Sequence, residues 1–431
     1  MTEPSIAGIG AHADRDVTLR GWVYNSRGSR KVRFLMLRDG TGIIQCVGGA
    51  GDLGEERFAA LAALTQESCV RVTGRVRVDD RAPGGHELIL SDFALLGASD
   101  DYPITPKEHG IEFLLPRRHL WLRSRKQHAV LTVRATVIAA VHEFLQREGF
   151  LHVDAPVFTP SAVEGTTTLF EVEYFGDKAY LTQSGQLYNE AAAAAFGKVY
   201  CFGPSFRAEK SKTRRHLTEF WQVEPEMAFA DLEDTMVLAE NLIEFVAARV
   251  LERHRDLLAG VLERDAARLE AVRAPFPRLH YDEAVARLRE AGRDFAWGGD
   301  LGAEDEAVLS EQFDRPVHLH HFPVEAKAFY MAPDPEDPRC SLSVDVLAPE
   351  GRGEIVGGGQ RADDLAVLEA QLEKHGLPRE PYEWYLDLRR YGTFPHSGFG
   401  LGIERLVAWL TGRHHIRECI PFPRLMRSIS P

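Results

Sequence analysis

One stretch, Val199 to Phe229 (VYCFGPSFRAEKSKTRRHLTEFWQVEPEMAF), gathers charged groups of both signs. Arg207 and Glu209 come first, then five basic side chains among the seven residues from Lys210 to His216, then Glu224 and Glu226. Guanidinium and ammonium groups on a loop hold phosphates well, and carboxylates beside them hold an ammonium group. Such a set suits a substrate that is anionic at one end and ammonium-bearing at the other. Aromatic and β-branched residues at both ends predict two strands, with the basic segment as the loop between them. A solvated hairpin with a charged tip would have no need of carboxylates on its strands.

Four further segments carry residues of the same kind. Ser161–Gly165 is a small-residue loop with one carboxylate, Glu164. Gln183–Gln186 places Ser184 and Gln186 on a turn, with Tyr188 and Asn189 opening the helix beyond. Asp345 precedes Gly353–Arg361 (GEIVGGGQR), which combines Glu354, three adjacent glycines and Arg361. Pro395–Arg405 (PHSGFGLGIER) runs glycines into an apolar helix. Glycine turns let a backbone approach a ligand closely. Neither run is G-x-G-x-x-G between a strand and a helix, and there is no P-loop, so a nucleotide bound here uses another scheme. His318, His320 and His321 invite a metal, but no further ligand sits at a zinc-like spacing and none is expected there.

These segments need elements to hold them. Residues 1–98 read as five short strands separated by turn residues, with a helical piece (EERFAALAAL) after the third. That pattern predicts a five-stranded Greek-key barrel of the oligonucleotide-binding type. Within it Phe34 can stack an unpaired base and Gln45 can bond a Watson–Crick edge. Residues 99–129, with Pro103, Pro106 and Pro116, read as a linker. Val130, Val133, Val137, Val141, Phe144 and Leu145 mark one face of a helix, with Gly149 as its C-terminal cap. FLHVDAPVFTP then reads as a strand broken at Pro156, at an edge or an interface. A second domain is expected over 130–431, with a helical insertion near 250–315.

At 431 residues the chain exceeds one ordinary core, so more than one domain is expected. No window offers the long uncharged apolar run of a membrane helix, and MTEPSIAGIG lacks a secretion pattern, so neither membrane nor export is expected. The five cysteines are scattered without a C-x-x-C pair, which excludes a disulfide framework and a zinc ribbon and predicts a cytoplasmic protein. A net charge of −13 argues against non-specific nucleic-acid binding. Yet Val17 to Arg38 holds six Arg or Lys residues and no acid, and Arg117, Arg118, Arg123, Arg125 and Lys126 cluster again. Local basic stripes let an acidic protein bind a polyanion along a chosen face.

FRAE, the basic loop and EFWQVEPE together resemble motif 2 of the class II aminoacyl-tRNA synthetases. GFGLGIERL resembles their motif 3, and the helix ending at Gly149 with Pro156 beyond it resembles motif 1. The barrel is similar to the anticodon-binding domain of the subgroup holding the aspartyl, asparaginyl and lysyl enzymes. EGTTTLFEV, QSGQLY, PEGRGEIVGGGQR, YLDLRRYG and PHSGFGLGIER extend the resemblance over essentially the whole chain, toward the bacterial asparaginyl members. The resemblance implies a multidomain α+β protein: an N-terminal OB-fold β-barrel, then a class II catalytic domain with an antiparallel sheet flanked by helices. It also implies ATP and L-asparagine as substrates, Mg2+ as cofactor, tRNA(Asn) as partner, and a homodimer through motif 1.

Carried over by position, the resemblance assigns Arg207 to the ATP α-phosphate and Arg215 and His216 to the outer phosphates. Phe220 and Arg405 would sandwich adenine, and Arg207 and Arg405 would carry catalysis by placement and charge. Glu209 would meet the adenylate or the tRNA end. Glu354 and Asp345 would supply oxygen ligands to magnesium, Glu354 the more securely, because the gap between them is longer than in aspartyl enzymes. Glu164, Ser184, Gln186 and Gln222 would receive the amino acid's ammonium. Its side chain would lie between Arg361, donating to the carbonyl oxygen, and Glu224, accepting from the amide. Phe34 and Gln45 would read the central anticodon uridine, which the aspartate and asparagine tRNAs share.

Asparagine and aspartate are nearly isosteric, so charge must separate them. Aspartyl enzymes also place an acid at the position of Glu224 but add a lysine where this chain has Asn189. Without that second cation the pocket suits a neutral amide. The nearest alternative is an aspartyl-tRNA synthetase, including one that also charges the asparagine tRNA. A tRNA-independent asparagine synthetase would lack the barrel. An inactive RNA-binding paralogue would have lost Arg207, Phe220, Glu354 or Arg405, all of which are present.

Overall fold

The computed structural model describes residues 4–163 and 169–431, in two compact units, Met1–Gly110 and Ile111–Pro431. In the first unit β1 (Asp16–Gly28), β2 (Val32–Arg38), β3 (Ile43–Gly49), β4 (Cys69–Val78) and β5 (His86–Gly97) close a barrel in the order β1-β2-β3-β5-β4. Helix α1 (Glu55–Ala62) follows β3, where the sequence places it. Alternation along the strands sorts the side chains. Leu35 and Leu37 of β2 and Ile44 and Cys46 of β3 are fully buried, while Phe34, Met36, Gln45 and Val47 between them are not.

The second unit is built on an eight-stranded sheet with a three-stranded one beside it in sequence. Its strands are β6 (Leu151–His152), β7 (Phe158–Thr159), β8 (Glu171–Tyr174), β9 (Asp177–Leu181), β10 (Lys198–Phe206) and β11 (Glu219–Ala228). After them come β12 (Arg278–His280), β13 (Val317–His320), β14 (Ser343–Ala348), β15 (Gly353–Gln360) and β16 (His396–Gly402). The large sheet runs β12-β13-β14-β15-β16-β11-β10-β6 and the small one β7-β9-β8. From β13 to β10 every neighbouring pair is antiparallel, and only the outer strands β12 and β6 pair in parallel. The longer helices are α2 (Arg125–Arg147), α3 (Gln186–Phe196), α4 (Leu232–Gly260), α5 (Tyr281–Glu290), α6 (Ala303–Ser310), α7 (Leu365–Lys374), α8 (Glu383–Arg390) and α9 (Ile403–Leu410).

Three boundaries differ from the sequence expectation. Residues 99–129 are not one linker: the division falls after Gly110, and short helical turns fill Ile111–Trp121. Arg118 is buried there because its guanidinium donates to the carbonyls of Pro421 and Ile420 and to Gln127. Helix α2 starts at Arg125 rather than Val130, since the Ser124 hydroxyl caps the amide of Gln127. Contrary to the composition reading, α2 is long and apolar enough to cross a membrane, but Val130, Val133, Val137 and Val141 are buried in one core with residues of α4 and α9.

The stretch 250–315 is mainly helical, but it also adds a strand to the large sheet. It contains the end of α4, edge strand β12, and helices α5 and α6. Glu240 of α4 fastens this region. Its carboxylate accepts from the amide of Phe276 and the guanidinium of Arg278 at 2.8 and 2.7 Å, and lies 3.3 Å from His318 Nε2. Burial raises its pKa, but the bonds from His318, Arg278 and the Phe276 amide outweigh that and bring it from 4.5 down to about 2. A depressed acid stabilises the fold above its unfolded pKa and loses that contribution as pH falls toward the folded value. Glu240→Gln is therefore expected to lose about 3 kcal/mol at neutral pH. The deficit against wild type should shrink between pH 4.5 and about 2, which urea midpoints at neutral and acidic pH would read. A deficit independent of pH would show that the charge is not what matters.

Candidate active site

The opening stretch folds as the predicted hairpin: β10 and β11 pair from Lys198–Met227 to Phe206–Glu219, and the basic segment is the loop. Arg207 leaves β10 with its amide bonded to the Thr218 carbonyl, and its guanidinium carbon lies 5.4 Å from the Phe220 ring centre. One cleft is lined by Arg207, Arg215, His216, Phe220, Gln222, Glu354 and Arg405, with Gly400 and Gly402 of β16 among its other walls. Glu209 lines the adjoining cleft with Arg207, Lys212 and His216. Local pairing explains the first group, and the return of β15 and β16 beside β11 brings in the rest.

Carboxylates crowd one side of this cleft. Glu354 bonds Arg405 at 2.8 Å, Asp345 holds Lys327 Nζ with both oxygens at 2.8 and 2.7 Å, and Glu306 pairs with Arg215 at 2.5 Å. Burial, with Glu354 and Glu306 nearby, pushes Asp345 up to about 7 even though Lys327 opposes it. Glu354 is pulled down to about 2, because Arg405 and Lys327 outweigh its burial. Gly357 stands between the two: a Cβ there would lie 2.8 Å from Glu354 Oε1 and 3.4 Å from Asp345 Oδ1. The missing side chain leaves space into which both carboxylates point, and hard oxygen donors suit a small dication. Lys327 already holds Asp345, so Glu354 is the better-placed ligand. Neither Lys327 nor Glu306 was found from sequence, since no local pattern ties either to these acids.

Burial and hydrogen bonds fix the inner pocket. Glu224 accepts from Ser184 Oγ and, at 2.8 Å, from the Gly185 amide. Gln222 donates to Ser205 Oγ at 2.8 Å, and its carbonyl oxygen lies on the side of Gly400. Gln186 donates its side-chain amide to Glu190. Asn189 is buried rather than on the helix surface and donates to the Glu224 carbonyl at 2.7 Å. Glu164 falls outside the described residues.

Arg361 does not face Glu224. It donates to Glu226 through Nε at 3.0 Å and NH2 at 2.9 Å, both residues being about 1% exposed. The reason lies in the register. Gly398 of β16 is opposite Glu226 on one side and opposite Gly359 of β15 on the other, so Arg361, two residues past Gly359, crosses a strand that has no side chain there. A Cβ on Gly398 would collide with the Glu226 carboxylate. Beneath the pair, Glu190 bonds Arg389, Tyr385 and His396 at 2.7–2.8 Å. Burial works against the charge of Arg361, but Glu226 and Glu190 outweigh it and raise its pKa. Glu190 and Arg389 escaped the sequence reading, being separated by 199 residues.

On the barrel, Phe34 pairs with Val47 and Met36 with Gln45, so the two candidate base-readers share the outer face of β2 and β3. The Arg27 guanidinium lies 5.9 Å from the Phe34 ring, and Gln45 Nε2 donates to Glu87 at 3.0 Å.

A basic hairpin, a glycine-bearing strand and an apolar helix enclosing one cleft define a class II synthetase site, and the family model described as tRNA synthetases class II (D, K and N) matches residues 110–426. The model for an OB-fold nucleic acid binding domain matches residues 17–96. The chain belongs to the asparagine–tRNA ligase family: it is 59% identical to the asparagine–tRNA ligase of Sorangium cellulosum and 57% to that of Chloroflexus aurantiacus, over 98–99% of this chain and 98% of each relative. The crystal structure of asparaginyl-tRNA synthetase from Pyrococcus horikoshii complexed with asparaginyl-adenylate superposes with a TM-score of 0.97 at 45% identity, over the whole of both chains. Entamoeba histolytica aspartyl tRNA synthetase superposes less well, with a TM-score of 0.85 at 26% identity over 100% of this chain and 93% of that one.

Proposed function

We propose that the chain activates L-asparagine with ATP and transfers it to tRNA(Asn). The observation that carries the amino-acid choice is the buried Arg361–Glu226 pair, with Glu190 and Arg389 beneath it and no further cation at Asn189. An amide completes this set, its oxygen accepting from Arg361 and its NH2 donating to Glu226. A second carboxylate would add one uncompensated buried charge. Glu224, Gln222 and Ser184 form the adjoining acceptor group, suited to the α-ammonium.

In the first step a carboxylate oxygen of asparagine bonds the α-phosphorus and the bond to the β-phosphate oxygen breaks, releasing pyrophosphate. Arg207 donates to the α-phosphate oxygens as charge builds on them. Phe220 and Arg405 hold adenine between them, while Arg215 and His216 hold the outer phosphates. Glu354, with Asp345, would hold a Mg2+ ion, which supplies charge neutralisation along the phosphates. In the second step the terminal ribose hydroxyl of tRNA attacks the activated carbonyl and AMP leaves. No protein nucleophile takes part.

The same reading makes the protein a homodimer, supported by the open edge strand β6 and the exposed side chains of Leu151, Phe158 and Phe175. It also places the protein in the cytoplasm away from membranes, supported by five cysteines without a disulfide. ATP–pyrophosphate exchange with each amino acid tests the assignment: asparagine should be preferred, and a preference for aspartate would refute it. Gln45→Ala should cut aminoacylation about 10- to 100-fold, as lost base contacts of 1–3 kcal/mol require, and leave exchange unchanged. Equal loss of both would remove Gln45 from anticodon reading.

A further inference from the structure

The outer edge of the large sheet carries a cluster with no place in aminoacylation. The parallel register of β12 and β13 sets His280 opposite His320. His321, one residue on, has φ +61, a conformation rare outside glycine, and its ring joins the other two. The three ring centres lie 4.8–5.4 Å apart, and one nitrogen from each ring falls within 4.8 Å of the others.

We propose that His280, His320 and His321 bind one divalent transition-metal ion of the zinc type. Nδ1 of His320 faces Nδ1 of His321 at 2.6 Å. Two imidazole nitrogens so placed can share only one proton, and a cation accepting both lone pairs removes the conflict. Nε2 of His321 lies 3.5 Å from Asp334 Oδ2, so a proton there leaves Nδ1 as the ligand. His280 Nδ1 accepts the Asp282 amide at 3.2 Å; moving the imidazole proton from Nε2 to Nδ1 gives up that bond, directs the new N–H toward Asp282 Oδ2, now 3.8 Å away, and frees Nε2 for the metal. A carboxylate behind a ligating imidazole is the usual device for fixing its tautomer. Three neutral imidazoles favour Zn2+, Co2+, Ni2+ or Cu2+ over Mg2+.

The site is distinct from the catalytic carboxylates. His320 is opposite Val344, which packs with Leu232 and Met236, whereas Asp345, the next residue, points to the other face. Its effect would be to fasten the three-residue strand β12 to the sheet. His280 lies 40 positions before His320, which is why the spacing of His318, His320 and His321 alone revealed no further ligand.

The test uses the full-length, tag-free, metal-stripped protein titrated with Co2+ in excess Mg2+, followed by visible d–d absorption and Zn2+ competition. One Co2+ per chain is expected, displaced by one Zn2+. Asp334→Asn should weaken binding about 10- to 100-fold. His320→Gln should abolish the absorption band, and His280→Gln, at a half-exposed strand end, repeats the test if the first variant does not fold. No saturable band, or a band that persists unchanged in His280→Gln, would overturn the proposal.

Discussion

Arg207→Ala is expected to lower asparagine-dependent ATP–pyrophosphate exchange about a thousandfold, mainly in kcat, while tRNA binding stays intact. The magnitude follows from what the guanidinium does. In the proposed role it offers two donors and a full charge to oxygens whose charge grows only in the transition state, so its loss would be felt there and much less in ATP binding. The structure supports the placement: the Arg207 backbone is tied to Thr218 across the hairpin and its head group sits over Phe220, at the wall of the same cleft. Arg207→Lys should recover little, because an ammonium cannot reproduce the planar fork. Exchange within tenfold of wild type in Arg207→Ala would remove the α-phosphate role.

Glu226→Gln is expected to reduce kcat/KM for asparagine about a hundredfold and to shift the asparagine/aspartate ratio toward aspartate by about a thousandfold. Like charges 4 Å apart at an effective dielectric near 20 repel by about 4 kcal/mol, which is the barrier aspartate meets while Glu226 is ionised. The substitution removes that repulsion and leaves Arg361 seeking an anion. Glu190 and Arg389 below remain paired, so the arginine keeps part of its electrostatic support. An unchanged ratio in a variant that still melts cooperatively would show that discrimination resides elsewhere. Glu224→Gln separates the two acids: Glu224, bonded to Ser184 and Gly185, is on the ammonium side in the proposed arrangement, so this change should affect both amino acids alike.

The division between what the chain revealed in one dimension and what it did not runs along contact distance in sequence. The barrel strands and the β10–β11 hairpin were legible because alternation and turn residues act within a few positions, and Phe34 and Gln45 fell on one face for the same reason. The choice between Glu224 and Glu226 was not. Both stand on β11 with side chains on the same face, and which one meets Arg361 is set by where β16 runs between two other strands, 135 residues from Glu226 to Arg361. Lys327 beside Asp345 and Arg215 beside Glu306 are of the same type: each ion pair joins elements whose adjacency only the completed sheet defines. The same cause hid Gly110 as the boundary, since Arg118 is buried by residues near the C-terminus.

Gly398, Gly400 and Gly402 lie along one face of β16, which is laddered to β11 on one side and to β15 on the other. The wall of the candidate cleft at Gly400 and Gly402 is thus a gap left in a central strand. Widening or closing it means breaking hydrogen bonds in the middle of the sheet, so its shape is held by the same free energy that folds the second unit. The ordering entropy is lost during folding, before any substrate arrives. A ligand that fills the gap stabilises the folded unit by RT ln(1 + [L]/Kd), so at equal concentration the rise in melting temperature ranks ligands by affinity.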